Sequence, residues 1–204
     1  MKADLCFRFS TTEWRALARK LDCDDEGAWK EAIGVFERRI TERFLSSIDA
    51  LFAADTKPDL QSTNSTHTEH CIPGFSIMAL CCLLIETLQG FREDPRGTNE
   101  DIKRFLRRPA FGNAFNGQVA GRFAKGIRNG IFHEAETRRW VIWRDEPTGK
   151  IVASEGDGFA LNRSLFYAAV RREFESYRKE LRDAANPDLR KRFKKKMDVL
   201  CGKA

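Results

Sequence analysis

The sequence predicts a mostly α-helical protein, an antiparallel helical bundle with a small β-hairpin inserted before its last long helix. Apolar residues recur at steps of three and four over residues 26–54 and 162–185, which is the period of an amphipathic helix. Residues 74–91 are apolar nearly all round, as expected of a helix at the centre of a bundle. The 204 residues show no internal repeat and no sharp change of composition, so we expect one domain.

The first third of the chain carries clear helix signals. Ser10 and Glu13 have the spacing of a capping box, which predicts a short N-terminal helix within residues 1–25. The Asp-Asp pair that follows can cap the next helix, which we expect from about residue 26 to residue 54. The apolar face of this long helix consists of Trp29, Ile33, Phe36, Ile40, Phe44, Ile48 and Leu51. Residues 55–73 are polar and rich in Ser and Thr, which predicts a surface loop.

The remaining elements follow in an order that fits a bundle. The pattern predicts a buried helix at 74–91, a short helix from 98 to about 109, a helix at 117–135, a hairpin of strands 140–143 and 151–153, and a helix at 162–185. Pro187 ends this last long helix. We expect residues 186–204 to be a basic C-terminal tail, in which 190–196 form a short helix or remain part of the tail.

Composition argues against several classes of protein. The longest nearly apolar run, residues 75–85, is half the length of a membrane span, and the N-terminus lacks the pattern of a signal peptide. We therefore expect a soluble, cytoplasmic protein. The six cysteines show no Cys-x-x-Cys spacing and no histidine at zinc-ligand distance, which favours buried, reduced thiols over a disulfide framework or a zinc site. No motif indicates a cofactor or a metal.

Positive charge is concentrated in two blocks. Residues 101–144 carry ten Lys and Arg against three Asp and Glu, and residues 171–204 carry twelve against six. Such clusters are typical of a face that binds the phosphates of RNA, although a solvated helix face and a basic tail explain them equally well. If RNA binds, the candidate contacts in the first block are Lys103, Arg104, Arg107, Arg108 and Lys125.

One polar cluster is predicted on the helix at 117–135. Asn129 and His133 are four residues apart and therefore share a helix face, and the long side chain of Arg128 can reach the same patch. The other two histidines, His67 and His70, lie in the polar loop. An arginine, an amide and an imidazole beside an apolar helix stripe are suited to holding an anion.

This cluster resembles the signature of the HEPN superfamily of small helical-bundle proteins, in which an Arg precedes a His by four to six residues and is often followed by a polar residue. The resemblance covers residues 74–137, and the final helix by architecture only. It includes Glu86, where family members often hold a polar or acidic residue. It implies a metal-independent endoribonuclease of a toxin–antitoxin or antiviral defence system, acting as a homodimer, with a possible antitoxin or defence partner. The chain has Ala135 where toxins silenced by nucleotidyltransferase antitoxins carry the Tyr that is modified, which argues against that control.

The expected chemistry uses RNA's own nucleophile, the 2′-hydroxyl. His133 would serve as general base or acid, and Arg128 would grip a phosphate oxygen as negative charge develops. Asn129 would orient the phosphate or the imidazole. Glu86 would hold Arg128 or tune His133, or it is simply an ion pair with a nearby arginine. The products would be a 2′,3′-cyclic phosphate and a 5′-hydroxyl.

A second hypothesis is a catalytically silent helical bundle that binds RNA or a partner protein. It explains the fold and the basic blocks equally well. Only the nuclease requires Arg128 and His133 together in an accessible cleft. A buried His133 far from Arg128 would favour the silent bundle.

Overall fold

The fold is mostly α-helical, as predicted, and the computed structural model describes it over residues 4–23, 25–55, 72–144 and 148–202. The helices are α1 Thr11–Leu21, α2 Glu26–Ile40, α3 Ser46–Ala54, α4 Ile72–Arg92, α5 Thr98–Leu106, α6 Gly117–Phe123, α7 Asn129–Glu134, α8 Arg163–Arg182 and α9 Pro187–Leu200. The strands are β1 Asp4–Cys6, β2 Phe9–Ser10, β3 Trp140–Trp143, β4 Val152–Glu155 and β5 Gly158–Asn162. The polar loop with His67 and His70 lies outside the described residues.

The helix starts follow their sequence signals. The Ser10 hydroxyl accepts a hydrogen bond from the Glu13 amide at 3.3 Å, and the Glu13 carboxylate accepts one from the Ser10 amide at 2.6 Å, so the predicted capping box forms. Asp25 caps α2 by accepting from the amides of Gly27 and Ala28. A π-helical turn, Thr41–Leu45, joins α2 to α3 without a break, which confirms one helical stretch over residues 26–54.

Helix α4 is the central element of the bundle and packs against α3, α5, α8 and α9. Aromatic rings fill the space beside it: the Phe36 ring centroid lies 4.6 Å from that of Phe91, 5.5 Å from that of Phe193 and 5.9 Å from that of Phe174. These rings come from α2, α4, α9 and α8, so one aromatic cluster holds four helices together.

Helix α4 is also long and apolar enough to cross a membrane by length and composition alone, with a mean hydropathy of 1.6 over residues 73–92. This stretch is longer than the apolar run expected from the sequence. Just over half of its most apolar window, 56%, is buried within the bundle, which is compatible with the core helix of a soluble protein.

The C-terminal segment, expected to be a basic tail with at most a short helix at 190–196, is a packed helix of 14 residues. Phe193 and Met197 of α9 are fully buried, and the guanidinium of Arg190 donates to the Glu26 carboxylate at 2.7 Å and to the Leu181 carbonyl at 3.0 Å. The sequence pattern was misleading because the charged residues of α9 alternate with a narrow apolar stripe that the aromatic cluster covers.

The strands before α8 pair differently from the predicted hairpin. Strand β5 lies between the other two, parallel to β3 with Trp140 opposite Phe159, and antiparallel to β4 with Val152 opposite Leu161. The segments 140–143 and 151–153 therefore do not pair with each other. The real hairpin is β4–β5, closed by a turn in which Gly156 adopts a φ of 53°.

Candidate functional site

The helix predicted at 117–135 contains a π-helical turn, Ala124–Arg128, between α6 and α7. This turn holds one extra residue, and turns of this kind often occur at functional sites. The turn ends at Arg128, directly before Asn129. The helix itself stops at Ala135, which adopts a left-handed conformation with a φ of 55°.

The structure brings all four predicted catalytic residues together. The Nε atom of Arg128 donates to Glu86 Oε1 at 2.7 Å across the gap between the π turn and α4. Its Nη1 atom donates to Asn129 Oδ1 at 3.2 Å and lies 3.5 Å from His133 Nε2. The guanidinium carbon also lies 5.0 Å from the ring centroid of Phe132. Arg128 is thus the hub that joins the acidic, amide and imidazole groups.

These side chains open onto solvent. His133 is exposed, and Arg128, Asn129 and Glu86 are half-buried. Arg128, Asn129 and His133 line one wall of a groove of about 430 Å³, which we call the site groove. Its opposite wall is residues 96–100, where α5 begins after Gly97 without a side-chain cap. The first amide groups of a helix and the positive end of its dipole favour an anion at this position.

The predicted RNA-binding residues divide into two groups. Lys103 forms an ion pair with Glu100, while Arg104 and Arg108 both pair with Glu93, the latter at 3.1 Å. Burial, followed by the charge of Arg92, lowers the pKa of the Arg108 guanidinium. Most of the α5 charge is therefore engaged in holding the fold together.

Arg107 and Lys125 differ from this set because both side chains are exposed. Within the described ranges, neither forms an ion pair. Lys125 also lines a second groove, of about 360 Å³, which we call the basic groove. Its other charged lining residues are Arg122, Arg138, Arg139 and Asp157.

Sequence reasoning missed three of the four cations of the basic groove. Arg122 could have been found, because it precedes Lys125 by three residues and is therefore its neighbour on a helix. Arg138 and Arg139 could not, because their position depends on how the chain turns back after α7.

Thiol chemistry is not favoured at the site. Cys81 and Cys82 are fully buried, and burial raises the pKa of both thiols well above the usual value. The charge of Glu86 adds to this effect at Cys82. No group of three or more His, Cys, Asp or Glu side chains suited to a metal ion occurs in the part of the chain that the structure describes.

Comparison with known protein families, with curated proteins and with solved structures finds no match. The features of this chain that bear on its function are therefore its two grooves and the Arg128 cluster.

Proposed function

We propose that the protein is a metal-independent endoribonuclease that cuts RNA to a 2′,3′-cyclic phosphate and a 5′-hydroxyl. The observation that carries the proposal is the 3.5 Å separation between Arg128 Nη1 and His133 Nε2 on the wall of an open groove. A proton-transfer group and a fixed positive charge at this distance can act on the same phosphodiester. The resemblance to HEPN ribonucleases supports the same activity and suggests a cytoplasmic toxin or defence effector.

In the proposed reaction the 2′-oxygen of RNA attacks the adjacent phosphorus. The O2′–P bond forms, the P–O5′ bond breaks, and the 2′-hydroxyl proton passes to His133. An imidazole suits this role because it takes up and releases protons near neutral pH. Arg128 stabilises the charge that builds on the phosphoryl oxygens during the attack.

Glu86 and Asn129 are positioning residues in this scheme. The Glu86 carboxylate holds Nε of Arg128, and the Asn129 amide oxygen holds Nη1, so the guanidinium plane is fixed beside the imidazole. The Nη2 atom also lies 3.5 Å from Glu86 Oε2, so an incoming phosphate oxygen would meet the part of the guanidinium that lines the site groove. Fixing a charged group in advance lowers the cost of reorganising it in the transition state.

The leaving 5′-oxygen needs a proton, and one chain offers one imidazole. We propose that His133 of the partner subunit supplies it in a two-fold symmetric homodimer. Two exposed apolar side chains flank the cluster: Leu83 lies three residues before Glu86 on α4, and Phe132 precedes His133 on α7. An apolar rim beside the site suits a self-complementary interface.

The test of catalysis is cleavage of a labelled oligoribonucleotide with EDTA present. We expect wild-type cleavage to persist, and His133→Ala to lose on the order of 100-fold or more because proton transfer is removed. Arg128→Ala should lose activity to a similar extent. If one imidazole and one guanidinium are enough in the shared cleft, mixing the two inactive variants should restore part of the activity. Loss of activity in EDTA, or full activity in His133→Ala, would rule the mechanism out.

The silent RNA-binding bundle is the second candidate, and the Arg128–Glu86 ion pair favours it. A carboxylate on the guanidinium reduces the charge available to a phosphate. Glu86→Gln separates the two functions. In the nuclease it should lower the cleavage rate, since the guanidinium loses its anchor. In a silent bundle it should raise RNA affinity, and wild type should show no cleavage at all.

A further inference from the structure

The basic groove is built by a segment of chain held unusually close to its neighbours. After α7 the chain folds back on the motif helix, and a side chain at Gly130 would collide with the carbonyl oxygen of Glu136. A side chain at Gly158 would likewise collide with the carbonyl oxygen of Arg139, which accepts a hydrogen bond from the Phe159 amide at 3.0 Å. Two glycines therefore allow residues 136–140 to lie between the helix and β5.

The same segment carries strained backbone. Arg138 and Arg139 are consecutive non-glycine residues with positive φ, 22° and 61°. Side chains rarely adopt this conformation, and it persists where the surroundings impose it, often at functional sites. These two arginines line the groove together with Arg122 and Lys125.

The groove carries more positive charge than its neighbourhood neutralises. Its lining has four cations and one acidic residue, Asp157. Arg138 pairs with Glu134 and Arg139 with Asp157, but these pairs are exposed and such pairs contribute little. Among the residues that the structure describes, Arg122 and Lys125 form no ion pair. The guanidinium carbon of Arg122 lies 5.4 Å from the ring centroid of Phe159.

The groove lies on the same helical stretch as the proposed active site. Residues 117–134 form one continuous stretch, in which Arg122 and Lys125 line the basic groove and Asn129 and His133 line the site groove. Lys125 precedes His133 by eight residues, which corresponds to about 12 Å along a helix. That distance is roughly three or four nucleotides of a stacked strand.

We propose that the basic groove binds the phosphodiester backbone of single-stranded RNA on one side of the scissile bond. Arg122, Lys125, Arg138 and Arg139 contact consecutive phosphates, and the Arg122–Phe159 pair offers a flat surface on which one unpaired base stacks. The backbone that carries Arg138 and Arg139 is already held in place, so binding does not have to order it. The assignment to RNA rests on the proposed function, whereas the binding itself does not require catalysis.

The test is RNA binding in a chain that cannot cut. Fluorescence anisotropy of a labelled twelve-nucleotide oligouridylate is measured on His133→Ala, alone and combined with Arg122→Gln, Lys125→Gln and Arg139→Gln. The matched control combines His133→Ala with Arg19→Gln, Lys20→Gln and Lys30→Gln, three exposed cations of α1 and α2. Both sets remove three charges, and thermal melts confirm that each variant is folded.

We expect the groove variant to bind roughly tenfold more weakly, and its slope of log K against log salt to fall by about 2, because three phosphate contacts are lost. The control variant should change neither quantity. Equal affinity and slope in the groove variant and its parent would overturn the proposal. If the groove substitutions weaken binding to an RNA duplex equally, the assignment to a single strand is wrong. If poly-glutamate binds as tightly as RNA and the same substitutions weaken its binding, the groove binds an acidic protein instead.

A cleavage experiment separates this inference from the proposed function. The three groove substitutions, Arg122→Gln, Lys125→Gln and Arg139→Gln, are placed in a chain with native His133. On the twelve-nucleotide oligouridylate this variant should show a raised KM and an unchanged kcat. On a dinucleotide, which spans the scissile bond alone, it should match wild type. If no RNA is cut by wild type while the anisotropy result holds, the nuclease proposal fails and the groove proposal stands.

Discussion

Helix α4 takes part in two arginine–glutamate systems that begin six residues apart. Glu86 accepts from Arg128, and the two side chains are 26% and 17% exposed. Arg92, by contrast, is only 3% exposed; it donates to Glu180 at 2.8 Å and lies 3.9 Å from the buried carboxylate of Glu173. Its guanidinium carbon also lies 4.7 Å from the ring centroid of Tyr177.

The difference lies in access rather than in the partners. The Arg92 guanidinium is enclosed by α8 and the aromatic cluster, so no ligand can replace its carboxylates. The Arg128 guanidinium has the same kind of carboxylate partner but keeps one side on the site groove, next to an exposed imidazole. A paired arginine is therefore a functional candidate when a ligand can reach its open side, and a structural one when it cannot.

The largest expected effect is on stability, at Arg92. Arg92→Met should lower the free energy of unfolding by about 3–5 kcal/mol, because it leaves the carboxylate of Glu173 buried without its charge partner. Arg128→Met, the matched change in the other system, should cost about 1 kcal/mol, since water reaches Glu86. Urea denaturation followed by circular dichroism measures both. A loss at Arg128 as large as that at Arg92 would mean that both pairs are structural, and the comparison would no longer identify a site.

A smaller effect is expected on the pH dependence of stability. Burial alone would raise the pKa of Glu180, but the hydrogen bonds and charge of Arg92 outweigh it, so the pKa lies below the usual value of 4.5. A carboxylate with a lowered pKa in the folded state stabilises the fold above its unfolded pKa. That contribution is lost as the pH falls through the folded value.

Glu180→Gln therefore should make the protein less stable at neutral pH, by at most about 1 kcal/mol because its side chain is 39% exposed. It should also make the loss of stability below pH 4.5 less steep than in wild type. Urea titrations at several pH values test this. Parallel stability curves for wild type and variant would show that the Arg92–Glu180 contact does not contribute in the way the geometry indicates.

Local signals were sufficient to predict much of this fold. The capping box at Ser10, the continuous stretch over residues 26–54 and the central helix α4 all follow from spacing and hydrophobic period, which act over a few turns of helix. The meeting of Arg128 with His133 also follows from spacing. The contact between Glu86 and Arg128 does not follow from spacing, because it depends on how α4 packs against the helical stretch that carries Arg128.

Features that depend on tertiary packing could not be predicted from the sequence. Strand β5 follows a short turn and lies in the middle of its sheet, yet its five residues carry too little pattern to distinguish it from the start of the next helix. Helix α9 looked like a basic tail because its charges outnumber its buried side chains. The turn at Arg138 and Arg139 combines two conformations that side chains rarely adopt, which no propensity rule anticipates.

The smallest expected effect applies the same comparison at the C-terminal end of α5, where Arg107 directly follows the helix. Arg104 is paired with Glu93, whereas Arg107 is exposed and, in the described part of the chain, has no acidic partner. Arg107→Gln should weaken oligouridylate binding by about twofold to threefold and lower the salt slope by about 0.7, the loss of one phosphate contact. Arg104→Gln should leave both quantities unchanged, because its charge already serves the Glu93 carboxylate. Anisotropy titrations in the His133→Ala background distinguish the two. An equal loss at Arg104 would show that the α5 ion pairs open when RNA binds, so that burial and pairing in the free protein do not determine which arginines bind RNA.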